Sequence, residues 1–420
     1  MAEDVVNEAQ VDDDFPMPVS VDFEGASWEA PTWKPLAAAG GILAAGASAV
    51  AGGLFASKRR RGAAAAAAGG LAVAGSLYGV ASRVVSEFLS APHKHPLAAD
   101  EQEYLAENPT GELAEHYRHV QRIGRMICGA QPDSWEGYYQ ALEPEEVERL
   151  RANRKAEEAA TWAWSEGASY QQVSTQSDDG TTLVGHLVQT DPASKRWVVL
   201  AHGYHGTWAD MSQYAHHWAE KGCNLLFPEM RGHGDSGGSL VGMGWLDRRD
   251  LVAWLGWLVA ERGEDITIAL HGHSMGGASV LLASAEEDLP AQVSLVVADC
   301  AYSDALNVLA PILREGFRIP VHPALELLRL VVRLKKGGYD LANASPETAA
   351  ARIKVPVLLL HGERDTFVPP YMVRRIFEAL PESNRRMATF PGAGHCQSMC
   401  SNPKRYWDEV FSFVEWAHSK

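Results

Sequence analysis

The sequence predicts an α/β fold: a mostly parallel, eight-stranded sheet flanked by helices, with a small helical cap. Three observations predict it. After residue 165, short apolar runs of strand length alternate with stretches of helical pattern, the arrangement of parallel strands joined by covering helices. Eight such runs occur, SYQQVST, TLVGHLVQ, WVVLAHG, CNLLFPE, ITIALHG, SLVVADC, VPVLLLHG and RMATF. The segments rich in Gly, His and Asp follow several of these runs directly, at the carboxyl ends where open parallel sheets collect reactive groups.

In chain order, residues 1–35 form an acidic tail. Positions 1–33 hold nine Asp or Glu and no Lys or Arg, with Pro16, Pro18 and Pro31 interrupting any periodicity, the composition of a disordered segment. Residues 36–82 contain two runs of apolar or small residues, 36–56 and 62–82, separated by KRRR at 58–61. Each is about the length that spans a bilayer, and a basic turn between uncharged runs stays cytoplasmic. The segment therefore reads as a membrane hairpin that leaves the rest of the chain extracytoplasmic. An Ala/Gly-rich linker shares this composition, and would leave the protein cytoplasmic. Residues 83–164 read as a charged, mainly helical connector, with Pro144 suited to a first helical turn and Val147, Leu150 and Trp162 at roughly helical spacing.

Residues 165–420 carry the α/β pattern. LDRRDLVAWLGWLVAERG places Leu251, Trp254, Leu255 and Leu258 on one helical stripe, too short and too charged for a membrane span. Residues 305–345 hold two more helical patterns, separated by Pro320 and Pro323, whose apolar faces either pack on the sheet or line a pocket as a cap. The first offers Leu306, Leu309, Ile312 and Leu313 on one face, the second Leu325, Leu328, Leu330, Val331 and Leu334.

Composition narrows the function. A net charge of -16 argues against a nucleic-acid surface, and no phosphate-binding glycine loop points to a nucleotide. Five cysteines are too few and too scattered for a disulfide scaffold; Cys396 and Cys400 are near enough in sequence to pair or to stay free. HCQSMC lacks a second Cys/His pair for zinc, so no metal is expected.

The chemistry centres on HGHSMGG at 271–277, at the exit of a strand. Glycines around a serine permit a sharp turn from strand to helix that holds the hydroxyl in the open. A serine needs a histidine to take its proton and a carboxylate to orient that histidine. Asp365 follows VPVLLLHG and His395 follows RMATF, so Ser274, Asp365 and His395 fall in order on loops at successive strand ends. The oxyanion that forms on the attacked carbonyl needs N–H donors. Met275, next after the serine, offers one, and Tyr204, behind Gly203 in the loop after WVVLAHG, offers the other.

These motifs lie in a longer series: HGYHG at 202, RGHGDS at 231, GMGWLDRRD at 242, GHSMG at 272, DCAY at 299, HGERDTFVP at 361 and GAGH at 392. Over about 165–418 the series resembles the α/β-hydrolase superfamily, and more narrowly the bacterial membrane-associated, serine-aminopeptidase-like or esterase-like hydrolases. The resemblance implies an α/β-hydrolase fold, Ser274 as nucleophile, Asp365 as acid, His395 as base, and Tyr204 with Met275 as oxyanion donors. It implies no cofactor. Two apolar runs depart from the commoner single N-terminal anchor.

The reaction expected is hydrolysis of a small-molecule carboxylic ester or thioester through an acyl-enzyme. A peptidase acting on short peptides shares the mechanism and differs in leaving group. A non-catalytic binding module on the same fold would be marked by a missing triad residue, and none is missing. Asp299 stands as a second candidate acid. His202 reads as a brace for its turn, Arg231, His233 and Asp235 as a buried polar cluster, and Asp247 and Asp250 as residues orienting the helix that follows.

Overall fold

The computed structural model describes residues 144–420 apart from 312, 315–319 and 336, together with Gly79, Ser82 and Leu89. The acidic tail and, Gly79 and Ser82 excepted, the two apolar runs lie outside the described residues, as does most of the connector. Among the described residues no helix is long and apolar enough to cross a membrane.

Each of the eight apolar runs becomes a strand: Gln171–Gln176 (β1), Thr182–Val188 (β2), Arg196–Ala201 (β3), Asn224–Pro228 (β4), Thr267–His273 (β5), Val293–Asp299 (β6), Val357–Gly362 (β7) and Arg385–Phe390 (β8). They form one sheet in the order β1-β2-β4-β3-β5-β6-β7-β8. β1 pairs with β2, and β2 with β4, antiparallel; every later pair is parallel. Side chains alternate between the faces. Trp197 and Val199 of β3 with Val357 and Leu359 of β7 enter one core, whereas Val198, Leu200, Leu358 and Leu360 enter the other. Both faces are covered over β3 to β7, which is why those runs are largely apolar, whereas the outer strands β1, β2 and β8 carry polar residues among their apolar ones.

The helices are Pro144–Gly167 (α1), Ser212–Glu220 (α2), Asp247–Arg262 (α3), Met275–Ser284 (α4), Ala305–Pro311 (α5), Val321–Leu334 (α6), Pro346–Ala350 (α7), Tyr371–Ala379 (α8), Ser398–Ser401 (α9) and Pro403–His418 (α10). Trp254 of α3, Leu281 of α4 and Ile376 of α8 fill the first core; Tyr214 and Trp218 of α2 with Trp407 and Phe413 of α10 fill the second. The stripe read on α3, Leu251, Trp254, Leu255 and Leu258, is buried as its period requires. All ten residues of α4 are buried, so the helix after the serine has no solvent face.

The cap region differs in detail from the expectation. On α6 the buried stripe is Leu325, Leu328, Val331 and Val332, while Leu334 is 67% exposed because it lies past the last turn that faces the core. Leu306 and Leu309 of α5 join the same core as the sheet face. Helix α1 packs on the α2 side: Asn153 Nδ2 donates to the Ser401 carbonyl at 3.2 Å, His217 Nε2 donates to Glu157 at 2.9 Å, and Glu146 lies against Gly392.

β4 lies on one side of β3 and β5 on the other, so the chain reverses its direction of sheet growth between β3 and β5. That switch point opens a crevice at the strand carboxyl ends. Leu270 of β5 is fully buried at the middle of the sheet. Leu270→Ala should destabilise the domain by about 2–5 kcal/mol in chemical denaturation; a loss below about 1 kcal/mol would contradict the central place of β5.

Candidate active site

β5 ends at His273 and α4 begins at Met275, leaving Ser274 alone to make the turn. Its φ of 53 and ψ of -119 lie where side-chain-bearing residues are rarely found. The neighbours make the turn possible by having no side chain. A Cβ on Gly276 would sit 2.0 Å from the Ala201 carbonyl oxygen, and one on Gly272 would sit 2.4 Å from the Gly276 backbone. The Ser274 N–H donates to the Asp299 carbonyl at 2.8 Å, tying the turn to the end of β6.

The three residues read from sequence meet here. Ser274 Oγ is 2.8 Å from His395 Nε2, and His395 Nδ1 is 2.7 Å from Asp365 Oδ2. The other oxygen of Asp365 accepts the backbone N–H groups of Phe367, at 3.0 Å, and Val368, at 2.7 Å. A carboxylate so held accepts from Nδ1–H, which leaves the Nε2 lone pair for the Ser274 hydroxyl. Burial disfavours the imidazolium of His395, but the Asp365 carboxylate and the Cys300 thiol beside the ring outweigh it and raise the pKa well above the ordinary histidine value. The Phe367 ring meets the imidazole edge-on at 4.9 Å. Asp299 is occupied elsewhere: its Oδ1 accepts from Ser398 Oγ at 2.9 Å, and burial pushes its pKa up to about 7.

The loop after β3 lies against the serine. A Cβ on Gly203 would be 3.0 Å from the His273 ring and 3.4 Å from Ser274 Cβ, so the backbone entering Tyr204 passes close to the hydroxyl. Met275 opens α4, where N–H groups have no partner within the helix. His202 braces this loop, donating from Nδ1 to the Gly203 carbonyl at 2.8 Å and accepting the Met230 N–H at Nε2 at 3.0 Å. Burial lowers its pKa to about 4, and that of His233, which accepts the His205 N–H at 3.1 Å, to about 3.

The RGHGDS segment divides. Arg231 is buried and grips Asp250 with two bonds, Nε to Oδ2 at 2.6 Å and Nη2 to Oδ1 at 2.5 Å, and reaches Asp179 at 2.9 Å. Asp250 thus anchors this loop. Asp235 does not join the buried cluster: its side chain is exposed because the turn at Gly234 swings it outward, and its backbone N–H is what binds Glu229. Asp247 accepts the Gly244 N–H at 2.7 Å, closing the loop before α3.

Of the two states left open for Cys396 and Cys400, the free one is found. Cys396 Sγ is 3.4 Å from Cys300 Sγ, not beside Cys400, and Cys223, Cys300, Cys396 and Cys400 are all free thiols. Sequence reasoning passed over Cys300 and Phe367; the signal for the first was its position directly after Asp299, at the end of a strand facing the histidine loop. Among the described residues two groups bring three metal-ligand atoms within 4.8 Å of one another, Cys300 with His395 and Cys396, and Glu157 with His216 and His217. A cavity of about 750 Å³ opens behind the elbow between α1 and the turn Trp208–Met211, walled by Glu157, Trp162, Tyr170, Asp210 and His273.

Sheet order and strand-end residues together define an α/β hydrolase, and the chain belongs to the α/β-hydrolase superfamily. The profile of the serine aminopeptidase S33 family matches residues 192–329 and 329–398. The chain is 27% identical to the uncharacterised Bacillus subtilis protein YqkD over 218 residues, 52% of this chain and 70% of that one. It is 26% identical to the monoacylglycerol lipase of Mycolicibacterium smegmatis over 272 residues, 56% of this chain and 93% of the lipase. An esterase structure from Pyrococcus furiosus aligns at a TM-score of 0.49 with 21% identity, covering 59% of this chain and 91% of that one.

Because Arg231 and Asp250 are both buried, removing one strands the other. Arg231→Ala should cost about 3–5 kcal/mol in urea unfolding. Arg231→Ala with Asp250→Ala should cost less than the two single losses added together; strict additivity would show that the two side chains act independently.

Proposed function

We propose that this hydrolase cleaves a carboxylic ester or thioester through an acyl-enzyme on Ser274. The observation that carries the reading is the unbroken hydrogen-bond chain from Ser274 Oγ through His395 to Asp365. His395 Nε2 takes the hydroxyl proton as Oγ attacks the substrate carbonyl. The resulting imidazolium is stabilised by Asp365, and the tetrahedral oxyanion takes the backbone N–H groups of Tyr204 and Met275. His395 then protonates the leaving group and, in the second half, takes a proton from the water that releases the acid.

Likeness to a monoacylglycerol lipase favours an ester, and the two-helix cap favours a modest acyl group. Each buried methylene contributes roughly 0.8 kcal/mol until the pocket is full. Across p-nitrophenyl esters from acetate to palmitate, kcat/KM should peak at small to medium chains. A peak at palmitate would reject the size reading, and brisk cleavage of aminoacyl amides with inert esters would replace the esterase by a peptidase.

A fluorophosphonate should label Ser274, and Ser274→Ala should lose labelling and more than about a thousandfold of turnover while remaining folded. Asp365→Asn should lower kcat severely, whereas Asp299→Asn should act through stability; the reverse order of kcat losses in folded variants would move the acid to Asp299. The base works only when neutral, so a raised His395 pKa moves the acid limb of labelling upward. The labelling rate should rise with pH through a midpoint above about 6.5. A midpoint below that value would contradict the dominance of Asp365 and Cys300 over burial.

The two apolar runs of residues 36–82 further suggest membrane attachment of this domain on the extracytoplasmic side. Carbonate-washed membranes should retain the full chain, and protease added to intact cells should digest the domain. Recovery in the wash would reject attachment, and protection until lysis would reject the outside placement.

A further inference from the structure

We propose that Cys300, Cys396 and His395 form a binding site for a thiophilic divalent cation, Zn²⁺ foremost, and that filling it switches hydrolysis off. The proposal rests on the reading of His395 as the base. Cys300 directly follows β6 and Cys396 directly follows His395, so strand ends that are far apart in sequence bring the two thiols to 3.4 Å. A ring nitrogen of His395 and both sulfurs lie within 4.8 Å of one another. Two sulfurs and an imidazole are a donor set that favours zinc over magnesium or calcium, which prefer oxygen.

The fit requires little movement. At a tetrahedral zinc with Zn–S near 2.3 Å the sulfurs stand about 3.8 Å apart, a few tenths of an ångström wider than here. Cys300 is buried, while Cys396 and His395 are half-buried, so two of the three donors border solvent, from which water would supply the fourth ligand. The carboxylates of Asp299 and Asp365 act electrostatically on Cys396 and make the place favourable to a cation. Burial raises the Cys300 thiol, and Cys396 is also raised although its contact with Cys300 pulls the other way. Both cysteines are therefore protonated at neutral pH. Binding to the neutral ring breaks two S–H bonds, forms two Zn–S bonds and one Zn–N bond and releases two protons to solvent; where the ring is charged, its extra proton leaves as a third.

Inhibition follows from an account of the ring nitrogens. Nδ1 is held by Asp365 at 2.7 Å and Nε2 by Ser274 at 2.8 Å, so neither is spare. Zinc at Nε2 occupies the lone pair that would accept the serine proton. Zinc at Nδ1 sends the ring proton to Nε2, which then donates and no longer accepts. In either case Ser274 has no base. The group formed by Glu157, His216 and His217 is the competing cation site, but it offers nitrogen and oxygen only, lies between α1 and α2, and contains no residue of the Ser274–His395–Asp365 chain.

The test uses the full chain with zinc held at defined free concentrations by a chelating buffer. Ester hydrolysis and fluorophosphonate labelling should both fall as free zinc rises and return on adding EDTA. Cys300→Ser and Cys396→Ser should each raise the half-inhibiting concentration by more than about tenfold, and Glu157→Gln should leave it where it is. Equal zinc sensitivity in the double serine variant, or loss of sensitivity in Glu157→Gln, would overturn the proposal. Cobalt titration gives a readout independent of turnover. One equivalent of Co²⁺ should produce a thiolate-to-metal charge-transfer band in the native chain and in Ser274→Ala, and none in the double serine variant. A cobalt complex without that band overturns the site. The band together with a chain inert toward esters and fluorophosphonate upholds the cation site and overturns the hydrolytic reading instead.

Discussion

The left-handed turn at Ser274 is the constraint on which the rest of the site depends. A residue at φ 53 and ψ -119 is held there only by surroundings that over-determine it. They are the Ala201 carbonyl pressed against Gly276, the bond from the Ser274 N–H to Asp299, and the wholly buried α4. Each contact belongs to a different strand or helix. The serine is consequently positioned by the sheet itself, and the register between β3, β5 and β6 is also the register of the site.

Around that turn the polar groups are sorted by charge. His202 and His233 are kept neutral by burial and serve as hydrogen-bond braces, while His395 alone in this group has a carboxylate against it that favours its charged form. The one strongly buried cation of the neighbouring loop, Arg231, is neutralised by Asp250. Histidines with the same ordinary pKa thus separate into scaffold and candidate base according to whether burial or a carboxylate prevails, and His361, 3.6 Å from the same Asp365, falls on the buried side.

The inner strands were legible because each is an apolar run bounded by turn residues, unlike the edge strand β1, QQVSTQ, and the order of Ser274, Asp365 and His395 was legible because each sits directly behind such a run. What the sequence did not carry was lateral placement. Cys300 and Cys396 are 96 positions apart, and only the adjacency of β6 and β7 with the return of the histidine loop brings them together. The choice of Asp365 over Asp299 rested on local context alone; the distances that separate them depend on which loop reaches His395. The stripe on α6 failed at Leu334 because periodicity does not say where a helix leaves the core. Asp235 failed because Gly234 beside it decides the direction of the turn.

Helix α1 enters the domain with Glu146 against Gly392, in the loop that presents His395, and runs from there along α2 to β1. Because a side chain on Gly392 would collide with Glu146, the first turn of α1 and the loop of His395 are fitted to each other, and a shift of one displaces the other.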